Sequence, residues 1–177
     1  MTVMAGPFMI AAALLAVGGA MKAARPVDTA HALRGVGLPG WPLLVRIGGL
    51  VEIAIGVSAV VAGGTASAVL VAVSYAAFIG FVLVALRRDA PIASCGCLGK
   101  ADTPPSRLHV GINLVALAAA VTVAVDPGVG LADTLRAQPL AGVPYLALVG
   151  LGVSFVFVAL SGLPRTLALV PMRAGRR

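Results

Sequence analysis

Apolar residues in this chain come in long unbroken runs, without the polar interruptions every few positions that mark a helix or strand half-exposed to water. Five runs approach the roughly 20 residues a helix needs to cross a bilayer. They are Met4 to Met21, Leu43 to Ala62, Ala66 to Leu86, Leu108 to Val125 and Val143 to Leu163. Each is predicted helical, because in lipid only a helix or a closed barrel satisfies every backbone N–H and C=O. The pattern therefore predicts an all-α, polytopic transmembrane helix bundle with five spans.

The polar stretches between the runs differ in length and charge. The "GGT" link between the second and third runs carries no charge, and the loop from Asp126 to Gly142 has Arg136 as its one basic residue. By contrast, Lys22, Arg25 and Arg34 lie between runs one and two, and Arg46 stands just inside run two. Arg87, Arg88, Lys100 and Arg107 lie between runs three and four, and Arg165, Arg173, Arg176 and Arg177 form the tail. All three basic clusters fall on one face if the N-terminus is outside and the C-terminus inside, and the positive-inside rule makes that face cytoplasmic. Nothing basic precedes Met4, so the first run reads as a retained helix and not as a cleaved signal peptide. Within "KAARPVDTAHALRGVGLPGWP" a short helix is expected, N-capped by Asp28 or Thr29 and ended by Gly35 or Gly37. It should lie along the cytoplasmic interface, with Trp41 at headgroup level.

Composition agrees with this picture. Of 177 residues, 60% are hydrophobic and 11% charged, against about 25% charged in a soluble domain. Mean hydropathy is +1.06. A net charge of +7 is compatible with a nucleic-acid partner, but the basic residues sit at the edges of apolar runs and form no binding stripe, so none is expected. The expected surroundings are the lipid bilayer and, beyond it, other membrane subunits.

Two thiols stand out. Cys95 and Cys97 are the chain's only cysteines, and Gly96 separates them within "ASCGCLGKADTPPS". Three readings compete. In the first, both are small buried apolar residues, as unpaired thiols often are. In the second, they belong to a soft-metal site for copper or zinc, since paired thiolates select such ions; yet a zinc site takes four ligands, and His31 and His109 fall in no ligand pattern. The third reading is thiol–disulfide exchange. Alpha carbons two residues apart come within disulfide reach, and Gly96 frees the backbone for the bend. So small a ring is strained and readily exchanged. Lys100, Arg87, Arg88 and Arg107 would favour a thiolate.

Glu52 is the other outlier, lying in the middle of the second run, where an ionised carboxylate costs several kcal/mol unless paired. Arg46 is six residues away, about 240° around the helix, so a direct pair is not expected. Asn113, in the fourth run, is the expected hydrogen-bond partner across the bundle. Together they form either interhelical glue or a proton donor and acceptor for the thiols. His109 could instead serve as base, although a lone interfacial histidine is more often simply solvated.

"ALRGVGLP", the R-x5-E of "RIGGLVEIAIG", "SCGCLG" after the third span and Asn113 early in the next occur in an order that resembles the MauE family, the membrane protein of methylamine utilisation, related to DoxX-like membrane proteins. The resemblance covers roughly residues 5 to 125. It implies a four-span bundle over residues 1–127, leaving an extracytoplasmic loop, a fifth span and a basic cytoplasmic tail in 128–177. It also implies a multi-pass protein of the bacterial inner membrane that trades electrons with a thioredoxin-like partner on another chain. The family's cysteine pair would fall on Cys95 and Cys97, supported by Arg46, Glu52 and Asn113; Leu98 stands where the family often has Phe.

The expectation is thus a thiol–disulfide oxidoreductase of the membrane. Because the charge rule puts the thiols on the cytoplasmic side, their electrons would cross the bilayer, come from cytosolic thiols, or pass to a quinone in the membrane. The alternatives are a non-catalytic scaffold or accessory subunit, and a copper or zinc carrier.

Overall fold

Ala, Leu and Val fill the apolar runs, and in a computed structural model these runs are long helices. The structure describes residues 4–88, 105–127, 130–137, 142–144 and 146–159. In chain order the elements are α1 (Ala5–Ala24), α2 (Pro26–Gly35), α3 (Pro42–Val61), α4 (Thr65–Arg87), α5 (Arg107–Val125), α6 (Leu131–Ala137) and α7 (Gly142–Ala159). Five of them, α1, α3, α4, α5 and α7, are long and apolar enough to cross a membrane. No strand occurs among the described residues. The protein is an all-α polytopic helix bundle, as the hydrophobic pattern predicts.

Helices α1, α3, α4 and α5 form the bundle. Helix α1 packs antiparallel to α3, with Gly19 against Gly49 and, farther along, Ala12 and Ala16 against Gly56. A Cβ on Gly19 would stand 2.5 Å from the Gly49 carbonyl oxygen, and one on Gly49 would stand 2.6 Å from that of Gly19. Only glycine permits this approach, and in lipid such close packing is what holds helices together. Helix α4 packs on α5, and the Tyr75 hydroxyl of α4 donates to the Ala11 carbonyl of α1 at 2.8 Å.

The core is concentrated at one end. Phe8, Ala12 and Leu15 of α1 meet Ala59 of α3, Val71 and Tyr75 of α4, and Ala116, Ala120 and Val123 of α5. The opposite end is built differently. There α2 lies against α3 and the last turns of α4, where Ala32 and Val36 pack with Ala85 and Phe81.

Helix α2 begins earlier than the sequence suggests. Pro26 occupies its first turn and Asp28 falls inside it, so neither Asp28 nor Thr29 caps it. Proline fits there because its missing N–H is one the helix leaves unpaired anyway. The other end behaves as expected: Gly37 has φ +78°, its N–H donates to the Arg34 carbonyl, and the Leu38 N–H donates to that of Leu33. This is the Schellman arrangement. Helix α6 in the link before α7 was not expected; Gly130, just before it, packs against the turn between α3 and α4.

Candidate functional site

Around α1 the buried positions recur every three or four residues, through Phe8, Ala11, Leu15, Gly18 and Lys22. Lysine therefore ends an otherwise apolar stripe, and it is 5% exposed. Its ammonium donates to both carboxylate oxygens of Glu52, at 2.7 Å each. The ion pair is well shielded, with side-chain exposures of 7% and 16%. Its nitrogen also lies 4.2 Å from the centroid of the Phe78 ring. Phe78 is held in turn by an edge-on contact with Tyr75, ring centroids 5.7 Å apart. Three helices thus converge on one ammonium group.

This overturns the expected pairing. The Glu52 carboxylate is taken by Lys22, and no hydrogen bond joins it to Asn113, which is buried on α5. Reading the first span as ending at Met21 placed Lys22 in the basic loop. The helix runs on to Ala24, and the close approach at Gly19 and Gly49 brings the two charges together. The three-to-four spacing from Leu15 through Gly18 to Lys22 was the available signal.

Arg46 does not reach Glu52, in accord with the helical geometry. Its Nε donates to the Ala23 carbonyl at 3.0 Å, satisfying one of the last carbonyls of α1 where a cation also suits the helix dipole. Arg88, the residue after α4, does similar work for α2: its Nη1 donates to the Val36 carbonyl at 2.7 Å. His109 is buried at the start of α5, its Nδ1 2.8 Å from the Ser106 hydroxyl, so it is not the solvated interfacial residue expected. His31 is exposed on α2. Cys95, Cys97 and Lys100 lie outside the described residues.

Beside the ion pair is a cavity of about 270 Å³. Lys22 and Glu52 stand in its wall with Thr29 and Leu33 of α2, Val45 and Gly48 of α3, and Phe78 and Phe81 of α4. An apolar pocket with a few converging polar groups is the usual form of a small-molecule site. It occupies the end of the bundle away from the main apolar core. The segment that carries both cysteines leaves α4 at this same end, directly after Arg88.

No curated protein and no solved structure matches the chain significantly. A family model described as methylamine utilisation protein MauE matches residues 2–126, which takes in the four bundle helices, α2, the Lys22–Glu52 pair and both cysteines, and stops before α6 and α7. With well over half its length so matched, this multi-pass membrane chain belongs to the MauE family.

Proposed function

We propose that the protein is a thiol–disulfide redox protein of the bacterial inner membrane, exchanging electrons through Cys95 and Cys97 with a thioredoxin-like partner. The observation that carries this reading is the thiol pair itself: the only two cysteines of the chain flank a single glycine, inside the stretch matched to the MauE family. An accessory role in methylamine utilisation follows from the same family.

The chemistry is a disulfide exchange. One thiolate of the pair attacks a partner disulfide and expels a partner thiolate, giving a mixed disulfide. The second cysteine, as thiolate, attacks its neighbour's sulfur and expels the other partner thiolate. The partner leaves with two thiols, and the two electrons it gains come from the Cys95 and Cys97 thiolates, which are oxidised to a disulfide. Arg87, Arg88 and Arg107 flank the segment and favour the thiolate form. The other three residues take roles suited to their positions. Glu52, with Lys22, fixes α1 to α3 at the end of the bundle from which the cysteine segment departs. Arg46 holds the end of α1, and Asn113 is a buried polar group on the helix that follows the segment.

Two measurements test the proposal. In intact cells, differential alkylation with permeant and impermeant reagents should find both thiols on the cytoplasmic side and at least partly oxidised. One of Cys95→Ser and Cys97→Ser should trap a mixed disulfide, while the double variant traps none and still inserts in the membrane. Full activity of the double variant in vivo would overturn the redox reading in favour of a scaffold.

A further inference from the structure

The cavity beside Lys22 and Glu52 has a chemistry of its own, independent of the thiols. Its walls are largely apolar, and its charged groups neutralise each other: the Lys22 ammonium is bound by both oxygens of Glu52. Such a floor holds no surplus charge to stabilise an anionic or cationic ligand, and bringing a net charge to it would sacrifice hydration without a free counter-ion. It does offer polar N–H and carboxylate groups to a neutral acceptor. Phe78 and Phe81 supply aromatic walls, and flat rings pack well on such faces.

The cavity borders the exposed face of α3. Leu44 and Gly48 line the cavity and both are exposed on α3, a membrane-spanning helix. Between Leu44 and Glu52 the helix rises about 12 Å, which sets the depth from rim to ion pair. The volume, about 270 Å³, is just under the roughly 300 Å³ at which ligand pockets usually begin. It admits one substituted ring and leaves any long tail in the bilayer. An anionic phospholipid head group would bring a net charge to a site with no free counter-ion.

We propose that this pocket binds the head group of a lipid-soluble quinone, its ring against the Phe78 and Phe81 side chains and a ring carbonyl accepting from Lys22. The proposal goes beyond the thiol exchange and requires none of it, because binding is read without Cys95 or Cys97.

Trp41 provides the reporter. It is the only tryptophan of the chain and stands three residues before Leu44 at the rim. Gly48→Leu provides the variant: Gly48 lines the cavity and a Cβ there meets nothing within 4 Å, so the larger side chain is expected to narrow the cavity without disturbing the helices. The full chain, purified into lipid nanodiscs, is titrated with decylubiquinone while Trp41 fluorescence and thermal unfolding are followed. Saturable quenching and a raised melting temperature are expected for the parent. Gly48→Leu, melting like the parent without ligand, should bind at least about tenfold more weakly. The same Cys95→Ser/Cys97→Ser protein should bind as the parent does, which separates this proposal from the redox reading. The proposal is overturned by quenching that never saturates, by equal binding in Gly48→Leu, or by equal protection from decanol, which lacks the ring. Displacement of decylubiquinone by anionic phospholipid at equal concentration would also overturn it, and would assign the pocket to lipid.

Discussion

Lys22 shows how a single side chain can be misassigned by a rule that is right on average. Basic residues just past an apolar run usually mark the cytoplasmic face, and Arg25 and Arg34 are exposed, as that reading requires. Lys22 lies only three residues nearer the helix but on its buried stripe, and there it must find a carboxylate. Glu52 was legible as an anomaly because a carboxylate in mid-span has no bland explanation; its partner was not, because lysine at a helix end does. The two charges depend on each other. Lys22→Met leaves Glu52 buried without its cation, and breaking a buried pair from one side costs about 3 to 5 kcal/mol. The double variant Lys22→Met/Glu52→Gln leaves no orphan charge, and should recover most of that loss. Unfolding of the purified variants in mild detergent, followed by circular dichroism against added denaturing detergent, checks the order: single variant least stable, double variant close to the parent. Equal damage from both would show that the pair contributes only packing.

Among the elements, four of the five spans were placed within three residues of their structural limits, and the start of the fifth within one, since a bilayer-length apolar run permits little else. The failures lie where the physics is local. The start of α2 was sought at residues with capping side chains, whereas Pro26 begins the helix without a capping hydrogen bond. Its end was legible because Gly37 adopts a conformation other residues avoid. Small residues were recognised as contact makers, but the sequence does not say which of two neighbouring glycines faces a partner. Gly48 and Gly49 differ completely in this: one faces open space, the other the backbone of α1. Gly49→Ala should therefore force α1 and α3 apart and cost about 1 to 3 kcal/mol. Gly48→Ala should be neutral or slightly stabilising, by up to about 1 kcal/mol, through helix propensity alone. The same unfolding assay compares them, and similar stabilities for the two would contradict the α1–α3 packing.

At the scale of the whole molecule the chain divides unevenly. Four helices share one core, and α2 closes the end where the ion pair and cavity lie. Helix α7 stands apart: only 6% of its most apolar 18-residue window is buried, with Leu148, Leu151, Phe155 and Val158 exposed. Ile10 of α1 is one residue it meets, at Gly152. The family match ends at residue 126, ahead of both α6 and α7. From the exposure of α7 and the extent of the family match we propose that the four-helix bundle is the unit and that α6 and α7 are an addition to it. Because lipid solvates an apolar helix as well as protein does, α7 gains little from docking unless it packs closely, and its exposed branched and aromatic residues do not pack closely here. Ending the chain after residue 127 should therefore leave the four-helix bundle inserted, with a melting temperature within about 4 °C of the full chain. Decylubiquinone should still quench Trp41 saturably, since every residue of the cavity wall precedes α5. A truncated chain that aggregates or loses the Lys22–Glu52 contribution to stability would show instead that α7 belongs to the folding unit, and that Ile10 and Gly152 mark an interface the bundle needs.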